Sequence, residues 1–109
     1  MKTDRMIEPG APSRFRGLSR QRLAGVEVPV ADTYRVRLLG LSHLDRERAG
    51  PGLLIPHCRS VHTYGMRFPI DILFLGEDDR LLRSFPATPP RRLVRCPGAR
   101  AVLELVSGA

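Results

Sequence analysis

Between Ser60 and Leu75 the chain reads as two strands on either side of a Gly65-to-Pro69 corner, with a single carboxylate, Asp71, inside the second strand. From Gly50 onward Gly and Pro recur so often that no long helix fits, whereas short strands joined by turns fit well. Asp71 is flanked by Ile70, Ile72, Leu73 and Phe74. An acid in such company must find hydrogen-bond partners or carry a large desolvation cost.

Upstream the pattern is looser. Residues 1–13 are polar, carry Pro9, Gly10 and Pro12, and read as a loose N-terminal arm before a single β-rich domain over residues 14–109. Residues 14–25 mix arginines with Phe15, Leu18 and Leu23 and predict an irregular or short helical lead-in. Val26, Val28 and Val30 alternate as a half-buried strand does, and Pro29 assigns that strand to an edge or an end. Asp32 or Thr33 suits a helix N-cap. Tyr34, Leu38 and Leu41 then fall on one stripe, flanked by Val36 and Leu39, which predicts a helix over residues 33–42.

Further short strands follow at residues 53–55, 58–64, 70–75, 80–85, 92–96 and 101–106. The run 70–75 is apolar on both faces, as a central strand is. The expected class is mainly β (β-rich α+β): a small sandwich or partly open barrel of about six to seven short strands with one short α-helix near residues 33–42.

A chain of 109 residues and 12.2 kDa fits one domain, which at this size buries roughly 65% of its unfolded surface without metal or disulfide help. Mean hydropathy of −0.16 and 42% hydrophobic residues exclude a disordered chain. No window nears the roughly 18 apolar residues of a membrane span, and no apolar signal-peptide core is present, so the cytoplasm is the expected location. The net charge is +7, and Lys2 is the only lysine among the 18 basic residues. Arginine forks suit phosphate and other anions, but 6% aromatic content and no Trp leave few stacking platforms for nucleic acid. Cys58 and Cys96 read as reduced thiols, and with His57 and His62 they lack paired zinc-knuckle spacing. No metal and no cofactor is expected.

Four segments, taken in order, resemble a known family: Leu38-Leu39-Gly40-Leu41, Gly52-Leu53-Leu54, Phe68-Pro69-Ile70-Asp71-Ile72-Leu73-Phe74 and Ala101-Val102-Leu103-Glu104-Leu105. The family is domain of unknown function 192, a small bacterial and archaeal family without an assigned activity, and the resemblance covers residues 26–108. It implies a compact, mainly β fold with a short helix. Where many members carry an aromatic-Met-Lys-Asn-Thr run, this chain has His62-Thr63-Tyr64-Gly65-Met66, which is similar to a branch of the family. Members usually continue through one more strand, so the resemblance also implies an unpaired edge and a homodimer formed through it.

The candidate site is the corner. Asp71 is expected to accept hydrogen bonds from Arg67, His62, Thr63 or the backbone of residues 65–68. In one reading Gly65, Pro69 and Asp71 are structural and pin the turn. In the other, His62, Tyr64, Arg67 and Asp71 line a small polar ligand pocket. A Ser60–His62–Asp71 triad fails on spacing, because i and i+2 Cα atoms in a strand stand roughly 6–7 Å apart. The expected function is a non-enzymatic accessory or ligand-binding module for an anionic small molecule or an acidic protein. The alternatives are a small hydrolase-like enzyme using the His62/Asp71 corner and weak nucleic-acid binding through the arginine surface.

Overall fold

The structure, a computed structural model, describes residues 13–108. The arm expected over residues 1–13 lies, save Ser13, outside the described residues. Eight strands follow in order: β1 (Arg20–Leu23), β2 (Val26–Pro29), β3 (Gly52–Pro56), β4 (Ser60–His62), β5 (Ile70–Leu75), β6 (Leu81–Thr88), β7 (Leu93–Arg95) and β8 (Ala101–Val106). They form three antiparallel sheets, β1-β2, β3-β8-β5-β6 and β4-β7, and no closed barrel. The single α-helix among the described residues is α1 (Tyr34–Leu39). No helix among them is long and apolar enough to cross a membrane.

Strands β3, β8 and β5 of the four-stranded sheet are covered on both faces, which is why they are apolar at most positions, whereas β6 is largely exposed. Leu53 and Ile55 of β3, Ile70, Ile72 and Phe74 of β5, and Val102 and Val106 of β8 pack with Val36 of α1, Leu41 and Val61 of β4 in the larger core. The alternate residues Leu54, Leu75 and Leu103 meet Val28 and the rest of the β1-β2 hairpin in a smaller one. Val30 ties that hairpin to β3 by a parallel bridge to Leu54. Phe74 is fully buried and meets Phe85 of β6 edge to face, ring centres 5.9 Å apart.

Three expectations change. The lead-in contains a strand: β1 pairs with β2 across Ala24 and Gly25, both with positive φ (51° and 80°), which gives a two-residue hairpin turn. Ala-Gly is a weak turn signal, so the local pattern does not distinguish this hairpin from irregular chain. The helix is six residues long, capped by Thr33, whose hydroxyl accepts the Val36 N–H at 3.3 Å. Gly40, at φ 55°, ends it before Leu41, so the stripe breaks: Leu41 is buried from beyond the helix while Tyr34 and Leu38 stay 81% and 59% exposed. Finally, β8 leaves no open edge. It pairs with β3 on one side and β5 on the other, and β3 and β6 are the outer strands of the sheet.

The close approach of β3 to β8 leaves no space at Gly52, where a Cβ would overlap the Glu104 carbonyl oxygen and stand 2.8 Å from Leu105 Cδ2. Gly52→Ala is expected to cost at least about 2 kcal/mol through forced strand separation, read as a lowered urea midpoint. An unchanged midpoint would contradict this β3–β8 spacing.

Candidate functional site

Alternation along β8 sends Val102, Glu104 and Val106 to the larger core and Leu103 and Leu105 to the smaller. Glu104 thereby lies between Leu53 of β3 and Ile72 of β5, the middle of the sheet, and is only 4% exposed. Its carboxyl group accepts the backbone N–H of Leu41. Its Oε1 is buried and has no hydrogen-bond partner. Burial pushes the carboxyl up to about 7, with the Leu41 N–H and the Arg14 charge only partly opposing the shift.

Glu104 forms part of a cleft of about 130 Å³ between the C-terminal end of α1 and the β3–β4 connection. Leu38, Leu39, Leu41, Ile55, Val61 and Met66 supply apolar wall, and Arg37, Cys58, Ser60 and His62 supply polar groups. Gly40 packs directly against the floor: with φ 55° it turns the chain, and a Cβ there would stand 3.1 Å from Glu104 Oε1. Arg37 donates to the carbonyl oxygens of Pro56 and His57, locking the helix to the end of β3. Cys58 Sγ donates to the Ser60 carbonyl at 3.1 Å, and burial pushes its thiol above the ordinary value, so it is not a ready thiolate. Behind the wall, Arg14 donates to the carbonyls of Gly40 and Ser42 at 2.8 and 2.6 Å. Burial first, then Arg35, lowers its pKa, while Glu104 opposes the shift.

The residues singled out in the sequence scatter. His62 borders the cleft and its ring meets Tyr64 at 5.8 Å between centres. Arg67 pairs with Asp45 at 2.8 Å on the surface. Asp71 turns to the other side of the sheet, half-buried, and accepts the Ala87 N–H at 2.7 Å rather than any donor of the corner. Ala87 has φ 48° where the β5–β6 register shifts, so Asp71 holds a bulge. The corner is pinned by others. Gly65, at φ 83°, lies so close to His43 that a Cβ would stand 2.9 Å from its Nε2, and buried Thr63 donates to the Pro89 carbonyl and accepts the Arg92 N–H, both at 2.8 Å. Pro69 accepts the Ser107 N–H at 3.3 Å, tying the corner to the end of β8. Cys58 and Cys96 are free thiols. No cluster of His, Cys, Asp or Glu among the described residues is arranged to hold a metal ion.

Glu104 was the missed residue. A lone acid within Val102–Val106 is the same signal that Asp71 gives within Ile70–Leu75, and the pairing of β8 on both sides makes Glu104 the deeper of the two.

The family model DUF192, described as "Uncharacterized ACR", matches residues 16–109. A protein of unknown function from Novosphingobium aromaticivorans DSM 12444 is similar in structure, with a TM-score of 0.59 and 18% identity over 90% of this chain and 88% of the other. A candidate transcription regulator from Sinorhizobium meliloti 1021 is similar with a TM-score of 0.61 and 21% identity over 82% and 78%. At these identities the likeness is one of fold. No curated protein matches.

Two measurements test the assignments. Glu104 has a folded pKa above its unfolded value, so its contribution to stability is fully present below about 4.5 and lost as pH rises to about 7. The wild-type protein is expected to lose roughly 2–3 kcal/mol more than Glu104→Gln between pH 5 and pH 8 in urea unfolding; parallel curves would place the carboxyl in water. Asp71→Ala is expected to cost about 1 kcal/mol and Asp71→Asn less, since the amide oxygen can still accept the Ala87 N–H.

Proposed function

Because the chain belongs to the DUF192 family, which has no established function, we propose from the site alone that the domain is a small-molecule-binding module whose ligand occupies the Glu104 cleft. One observation carries this reading: Glu104, whose buried Oε1 has no partner, is among the residues lining a cleft walled by apolar side chains. Buried acceptors are normally satisfied, and leaving one open costs roughly 1–3 kcal/mol. A bound ligand that donates a hydrogen bond offsets that cost. A few polar groups converging in an apolar concavity are the usual composition of a ligand site.

The same geometry speaks against turnover. The Cys58 thiol is held protonated, and Arg37 is committed to two carbonyls instead of a reacting oxyanion. An anionic ligand, expected from the arginine content, would meet the carboxyl at the floor of this cleft. The free thiols Cys58 and Cys96 support the cytoplasmic location read from the sequence.

A fragment screen followed by amide NMR tests the reading. Binders are expected to move the Leu41, Val61, Met66 and Glu104 signals and to lose affinity in Ser60→Phe, which fills the mouth from an exposed strand position. A screen whose binders all map elsewhere, or that are indifferent to Ser60→Phe, would overturn it.

A further inference from the structure

Taking the cleft as the ligand site, we infer that its ligand is a compact organic cation whose charged head carries N–H groups, a primary ammonium or amidinium on a short apolar body. The acceptor decides the head. An ionised carboxylate accepts hydrogen bonds and donates none, and here one oxygen has no donor from the protein. The fold places two arginines nearby and neither donates to Glu104: Arg37 donates to the carbonyls of Pro56 and His57, and Arg14 to those of Gly40 and Ser42, with its Nε left buried and without a partner. Neither makes an ion pair with Glu104 among the described residues. A cation brought by the ligand can fill the position that no protein cation occupies.

The walls decide the rest. Leu38, Leu39, Ile55, Val61 and Met66 offer aliphatic and thioether surface, and the one ring lining the cleft is that of His62. Quaternary ammonium ions are held by cages of aromatic faces, which this cleft lacks, so recognition depends on N–H donation. The volume of about 130 Å³ is close to that of apolar cavities that admit benzene, about 150 Å³. A body of about five heavy atoms therefore fits.

The net charge of +7 does not forbid a cation here. Exposed arginine charges are screened over about 8–10 Å at physiological salt, whereas a contact ion pair inside an apolar cleft is screened far less. Four titratable or charged groups besides Glu104 surround the site: Arg14, Arg37, Cys58 and His62. Ammonium binding favours the ionised Glu104 and releases its proton, so affinity should rise with pH until that carboxyl is fully ionised.

NMR titration of the full chain with isobutylammonium, isobutanol, isobutyrate and tetramethylammonium separates the possibilities. At pH 8 isobutylammonium is expected to bind about tenfold more tightly than the other three, to lose about tenfold in Glu104→Gln, and to weaken at pH 5.5. The pH series is repeated in His62→Gln so that the imidazole at the mouth does not contribute. Equal or tighter binding of isobutanol or isobutyrate at the cleft signals, or indifference to Glu104→Gln, overturns the cationic ligand while leaving a binding cleft. Tight tetramethylammonium binding overturns the requirement for N–H groups. Silence of all four probes where screened fragments do bind also overturns the inference alone; silence of probes and fragments together overturns both it and the binding function.

Discussion

Strand β8 is hydrogen-bonded on both sides, to β3 and to β5, and the character of the domain depends on that double pairing. It buries most of the strand, leaving only Ala101 and Leu105 half-buried, so the side chains it carries are committed to one of two cores. Val102 and Val106 are at home there. Glu104 is not, and the molecule accommodates it with one backbone N–H, from Leu41, and a neighbouring positive charge, Arg14, that stops short of a contact pair. The result is a carboxyl poised near neutrality inside apolar surroundings.

Accommodation of that group explains features that look unrelated in the sequence. Gly40 ends α1 early, which frees the Leu41 N–H and keeps a side chain off Oε1. Arg14 reaches across 26 and 28 residues to hold the carbonyls on either side of Leu41. Arg37 fastens the helix to the end of β3, so the wall of the cleft cannot swing away from its floor. A partly satisfied buried polar group is costly in a domain of this size, and such groups tend to mark function. Here it coincides with a cleft.

Much of the architecture was legible. The runs at residues 53–55, 70–75 and 101–106 are short, apolar and bounded by Pro or Gly, and each became a strand of the main sheet. Alternation over residues 60–64 puts Val61 and Thr63 on one side and Ser60, His62 and Tyr64 on the other, and the structure buries the first pair and exposes the other three. The site was less legible. Asp71 and Glu104 carry the same local signature, an acid between aliphatic neighbours, and nothing within a few residues of either says which lies deep. Asp71 sits where β5 and β6 slip register, beside a backbone N–H it can reach from a half-buried position. Glu104 sits in the middle of a strand with partners on both sides.

The sequence by itself determined the mainly β class, the punctuation of the strands, and a short helix capped by Asp32 or Thr33, because these rest on side-chain period, turn chemistry and capping within a few residues. Tertiary structure alone decided the order of strands in the sheet, and with it which acid is buried, which arginines are spent on carbonyls and where the cleft opens. Those outcomes depend on pairings between segments some 30 to 50 residues apart, such as β3 and β5 with β8, and local pattern carries no information about who pairs with whom.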